Sequence, residues 1–244
     1  MSGPSLNNVP SAKITKEDYP ALYRSALGFL ILLSFTGSVL FISYGSIQWP
    51  EAWVVLGLWL LYYVIVFVWA SQYNPGVILA RARSLEHQPL PWDKKILGGQ
   101  FILGVTMNIL AGLDAGRFGW SQIPGGIRWG MFPLVLFTLY FPFWAVAVNP
   151  FASAVVRIQK ERGHHVISAG PYRYIRHPMY LTSVTGGLAF PLFYGSWWAL
   201  IPGVLNIALA LRRTQLEDTF LQSQLPGYKE YARQVKYRIF PGVW

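Results

Sequence analysis

The stretch Arg157–Tyr180 (RIQKERGHHVISAGPYRYIRHPMY) holds three of the chain's four histidines, with five basic residues and three tyrosines. Arg173, Tyr174 and Arg176 suit a charged loop with interfacial tyrosines beside a membrane. His164, His165 and His177 are less easily explained that way, because imidazole is neither a strong topology signal nor a good interfacial anchor; a functional role for at least one of them accounts for the cluster better. A second cluster, Arg212-Arg213-Thr214-Gln215-Leu216-Glu217-Asp218, follows some forty residues after His177. Arg213 and Glu217 stand four apart and share a helix face. An exposed pair in that order adds only about 0.3–0.5 kcal/mol, so the acids fit a cationic ligand better than they fit helix support.

The segments that must position these clusters are apolar. Of the 244 residues, 53% are hydrophobic and 12% charged, with a mean hydropathy of +0.35. A soluble domain carries roughly 25% charged residues. Residues 25–50, 52–80, 96–113, 129–156 and 177–211 contain no Asp, Glu, Lys or Arg, and a spanning helix needs about 20 mostly apolar residues. The expected fold class is therefore all-α, a polytopic helical membrane bundle. Spans are placed near Ala26–Tyr44, Trp53–Ala70, Ile96–Gly112 and Gly130–Val148. The last run is broken by Gly186, Gly187, Pro191, Gly195 and Pro202, and reads as a helical hairpin turning at Phe193–Ser196. That gives about six passes. Each hairpin arm of about 17 residues reaches roughly 26 Å, short of a hydrocarbon core of about 30 Å. Residues 1–148 form the N-terminal transmembrane helices, and 149–244 the catalytic and cofactor-binding region with the hairpin.

The net charge of +10 lies between the apolar runs. All of the twenty Lys and Arg except Arg117 and Arg128 fall on one side of this topology, which puts both termini and both clusters in the cytoplasm. Membrane lipids, not nucleic acid, are the partners this placement implies. Trp49, Trp53, Trp120, Trp129, Trp197 and Trp198 are expected at the interfaces. The polar start, with Lys13, Glu17 and Asp18, precedes an apolar run too long for a signal peptide, so it reads as an uncleaved first span. The absence of cysteine excludes disulfides, thiolate metal sites and a cysteine nucleophile. No Gly-rich phosphate loop is present, and His164-His165 lacks the spacing of a zincin, so no metal site is expected.

Taken in order, His164-His165-Val166-Ile167, Gly170-Pro171-Tyr172, Arg176-His177-Pro178-Met179-Tyr180, Glu217-Asp218 and Gly227-Tyr228…Tyr231 resemble the isoprenylcysteine carboxyl methyltransferase family. The likeness is greatest to bacterial members of the wider group that includes phospholipid methyltransferases, and it covers Asn149 to Pro241. It implies an S-adenosylmethionine-dependent carboxyl O-methyltransferase. Its cofactor contacts are Gln159, His164, His165, Val166, Ile167, Tyr172, Arg176, His177, Pro178, Met179, Tyr180 and Glu217. Arg213 faces a lipophilic, prenylcysteine-like or isoprenoid acceptor and acts with Glu217 as the catalytic pair. On that reading Glu217 receives the cofactor ammonium, Arg176 and His177 hold its carboxylate, and tyrosine faces stabilise the sulfonium. The sequence departs from the family in Asp218, where the family has a second Glu, and in the short spacing between Gln159 and His164. Sterol and steroid reductases that use NADPH share a similar Arg176-His177-Pro178 and Tyr237–Pro241 ending, but the run from Arg157 to Arg173 fits the methyltransferases better. A transporter or scaffold is the non-enzymatic alternative. Against it, no predicted span carries a mid-membrane charge.

Overall fold

The computed structural model describes residues 14–83 and 89–244. Lys13 and the rest of the polar start through residue 13 lie outside the described residues. Helices account for all regular structure among those described. They are α1 (Tyr19–Tyr44), α2 (Pro50–Tyr73), α3 (Pro75–Ala82), α4 (Pro91–Gly112), α5 (Gly125–Gly130), α6 (Phe132–Val148), α7 (Pro178–Tyr194), α8 (Leu200–Gln224) and α9 (Tyr228–Gln234). Proline opens most of the long helices, where its missing N–H costs nothing.

Four stretches, Lys16–Tyr44, Pro50–Tyr73, Pro91–Phe118 and Gly125–Val148, are long and apolar enough to cross a bilayer. Only 11% to 22% of each apolar window is buried inside the protein, so their flanks face outward, as lipid-facing surfaces do. The chain is a polytopic helical membrane protein. The predicted span positions hold, with the helices running further: α1 begins at Tyr19 and α4 at Pro91. The hairpin differs from a pair of full passes. With 17 residues α7 stays short of the bilayer thickness, and it packs chiefly between α6 and α8 instead of facing lipid. Gly187 and Gly203 bring α7 and α8 into backbone contact. A Cβ on Gly203 meets the Gly187 carbonyl oxygen at 2.2 Å, so no larger residue fits the crossing. Gly195, at φ 91°, turns the chain between them.

The end of the bundle opposite the two clusters is closed by buried polar ties. Asp114, fully buried, accepts hydrogen bonds from the Ser121 and Ser196 hydroxyls, both at 2.5 Å, and Glu51 pairs with Arg128 at 3.0 Å. Trp53, Trp120, Trp129, Trp197 and Trp198 are exposed near helix ends. Trp49 departs from the interfacial expectation: it is 2% exposed and stacks on Tyr44 inside the core.

Candidate functional site

At the other end, the segment between α6 and α7, the start of α7, the last turns of α8, and α9 surround a cavity of about 370 Å³. Two buried carboxylates hold its frame. Asp218, on α8 and fully buried, receives the Arg176 guanidinium in a two-pronged pair, Nε at 2.8 Å and Nη2 at 3.0 Å. It also accepts from Gln222 at 2.9 Å, Arg238 at 3.1 Å, the His177 ring at 3.1 Å and the Tyr228 hydroxyl at 3.3 Å. Burial alone raises its pKa, but the bonds and charges of His177 and Arg176 outweigh that and hold the carboxyl far below the usual range. The last donor of Arg176, Nη1, goes to the Val235 and Lys236 carbonyls. The backbone N–H groups of Arg176 and His177 bond the carbonyls of Tyr237 and Arg238. The tail is thereby laid across the start of α7.

Arg176 and His177 are thus held by the frame of the cavity. Arg176 spends its donors on Asp218 and the tail, and His177 turns its Nε2 to the same carboxylate. Both also line the cavity, so the bonds to Asp218 and the tail position them in its wall. Pro178 begins α7 with His177 as its cap residue, which sets Met179 and Tyr180 facing the cavity. The tail tyrosines Tyr228 and Tyr231 line the cavity and also brace it. The Tyr231 hydroxyl donates to the Tyr172 carbonyl at 2.7 Å, while Asn149 donates to the Tyr172 hydroxyl at 2.9 Å.

The second carboxylate went unnoticed in the sequence. Asp93, in the first turn of α4 and fully buried, pairs with Arg213 Nε at 2.7 Å and accepts from the Val156 N–H at 2.9 Å. Arg213 also donates to the Ala154 carbonyl at 2.9 Å and lies over the Tyr180 ring. Arg213 and Glu217 therefore do not pair with each other. Arg213 lines the cavity but is tied to α4, while the Tyr180 hydroxyl donates to Glu217. Among the described residues Glu217 has no ion-pair partner. Asp93 carried no signal beyond a common first-turn acid, because its partner lies 120 positions away.

The histidine segment forms the remaining wall. Phe151 stacks on His164 at 4.5 Å and meets His165 edge-on at 5.0 Å. Burial, then the neighbouring His165, Arg162 and Arg157, push the His164 pKa down to about 4, so this ring is neutral at neutral pH. The Gln159 backbone N–H donates to its Nδ1, which leaves the proton on Nε2. His164, His165, Val166 and Ile167 line the cavity. Gln159 does not. It is fully buried behind Phe151, donating to the Phe151 carbonyl at 2.6 Å and accepting from Arg162 at 2.6 Å, and so shapes the loop from behind. Among the described residues no group of three or more His, Asp or Glu side chains is placed to hold a metal ion.

The fold defines a class, the polytopic helical membrane protein, here with a half-enclosed cavity of mixed polar and apolar lining. Comparison with known proteins gives a likeness over part of the chain. Residues 129–226, from the end of α5 through α8, match the phospholipid methyltransferase family. Over 80 residues it is 32% identical to the cobalt-zinc-cadmium resistance protein CzcN of Cupriavidus metallidurans; the match covers 32% of this chain and 36% of that protein. The chain thus spans about a third of that relative's length.

Proposed function

We propose that the protein uses S-adenosylmethionine to methylate the carboxylate of a lipophilic, isoprenoid-like acceptor at the membrane surface. The observation that carries this reading is Glu217, a carboxylate with no ionic partner among the described residues that faces a cavity lined mostly by the methyltransferase-matching region. The cavity's volume lies in the range of small-molecule sites. Its donor set suits the cofactor: Glu217 for the ammonium, the neutral His164 wall for a nucleobase face, and Tyr180 and Met179 for the region around a sulfonium. Bound there, S-adenosylmethionine would supply an already activated methyl group, so an acceptor carboxylate would need no proton removed.

The protein's own contribution is then alignment and exclusion of water, which needs no strong base. The Asp218 and Asp93 ties fix the wall residues, and Val166, Ile167 and Met179 keep the reacting region apolar. Thermal shift of the purified protein in detergent tests the reading. S-adenosylmethionine is expected to raise the melting temperature and NADPH to leave it unchanged; stabilisation by NADPH alone would overturn methyl transfer in favour of a reductase.

The same reading places the cavity on the cytoplasmic face, because the basic residues gather at this end. Reporter fusions at Met1 and Trp244 are both expected to report cytoplasm. Opposite locations would mean an odd number of crossings, with the short α7 the helix miscounted.

A further inference from the structure

Four guanidinium groups at the cavity can be sorted by what they already hold. Arg157 pairs with Glu161, Arg176 with Asp218, and Arg213 with Asp93. Arg81, near the end of α3, also lines the cavity, yet among the described residues it makes no ion pair, and its Nε is shielded from solvent with no hydrogen-bond partner. A guanidinium stays charged at any accessible pH, and burying it unpaired is unfavourable. The fold nevertheless fixes it there: Val77, Ile78 and Ala82 are buried, seating α3 against α1, α2 and the end of α6. Arg81 interacts electrostatically with Tyr62, in the middle of α2, and with Tyr172. Around Tyr62, Leu60, Leu61, Val64 and Ile65 are exposed on the outward flank of α2. The cation thus stands where the cavity meets the lipid-facing helices, across from the family's loop.

We propose that Arg81 is the subsite for the anionic head of the methyl acceptor, its planar fork taking the two oxygens of a carboxylate or phosphate carried on a lipophilic chain. This rests on the methyltransferase reading and assigns to Arg81 the acceptor-facing role that Arg213, held by Asp93 and Ala154, is not free to fill. Arg81 lies outside the family-matching residues 129–226. Chemistry common to the family, such as cofactor binding, is carried within that stretch; a residue outside it is placed to serve what differs between members, the acceptor. Guanidinium is also the cation best matched to paired oxyanion oxygens.

The test measures affinities of the purified full chain for farnesylacetic acid, farnesyl phosphate and farnesol, which share a chain and differ in head. The two acids are expected to bind roughly tenfold or more tightly than the alcohol. Arg81→Gln should bring both acids to the level of farnesol, leaving farnesol and S-adenosylmethionine affinities unchanged. Preference for the carboxylate marks an acid acceptor, and preference for the phosphate a phospholipid-type head. A wild-type protein with no acid preference, or an Arg81→Gln variant that keeps it, overturns the subsite. So does a variant that loses S-adenosylmethionine affinity instead, which would give Arg81 to the cofactor carboxylate. Should the variant not fold, phenylglyoxal modification of Arg81 in the wild type decides: protection by the acids and not by farnesol is expected, and equal modification with all three overturns the proposal. Because S-adenosylmethionine binding is measured separately, its absence sinks the methyltransferase reading without bearing on the acid preference.

Discussion

Asp218→Asn is expected to cost the protein about 3–5 kcal/mol of stability, the range for removing one partner of a buried ion pair and leaving the other uncompensated. The substitution keeps the shape and removes the charge that Arg176, Arg238 and the His177 ring converge on. Arg176 ties the tail to α7, so tail and cavity wall should loosen together. The readouts are a lower melting temperature in detergent and faster proteolysis after Gly227. Arg238→Gln is the control: this partner is 27% exposed, and its loss should cost well under half as much. The pH dependence has a defined sign. Asp218's folded pKa is depressed, so its contribution is complete above about pH 4, the unfolded value, and is lost only as pH falls toward the folded one. A melting temperature equal to wild type would mean that the hub is not what holds the tail.

How much of this was legible in the sequence divides along a physical line. The spans were, because an uncharged run of twenty residues admits few alternatives in any environment. The start of α7 at Pro178 was, because proline at a first helical position is a local signal. That the two clusters meet at one membrane face was too, since a hairpin that returns brings Glu217 back beside Tyr180. What could not be read was which charge pairs with which. Arg213 and Glu217 share a helix face, but Arg213 turns to Asp93 on α4 and Glu217 to Tyr180 on α7. Arg176 and His177 carry the marks of ligand binders, and nothing in the sequence showed that both also bond Asp218.

In each case the deciding partner is remote in sequence, and nothing local distinguishes a committed guanidinium from a free one. Arg81 is the converse: it reads as one more positive-inside arginine, and what sets it apart is that it makes no ion pair at the cavity among the described residues. The short α7 was half legible. Its length follows from its glycines and prolines, but its place as the central helix follows from the Gly187–Gly203 approach, a tertiary fact.

Glu217→Gln isolates the remaining question, because it removes a charge from the cavity and little else. A glutamine carbonyl can still accept the Tyr180 hydroxyl, and among the described residues no cation is paired with Glu217, so melting temperature without ligand should stay near that of the wild type. If Glu217 receives the cofactor ammonium, the variant loses a charge-assisted hydrogen bond in a partly dry site, worth roughly 1.5–3 kcal/mol. S-adenosylmethionine affinity, measured by calorimetry, should then fall by about one to two powers of ten. The opposite pattern, a destabilised protein that binds the cofactor as well as wild type, would make Glu217 a structural partner of Tyr180. Unchanged affinity and unchanged stability together would remove it from the site. Tyr180→Phe sharpens the comparison: it frees the carboxylate of its internal donor while keeping the charge, so a Glu217 that serves the ammonium should retain most of its hold on the cofactor in that background. Only a carboxylate whose charge matters more than its hydrogen bond to Tyr180 produces both results.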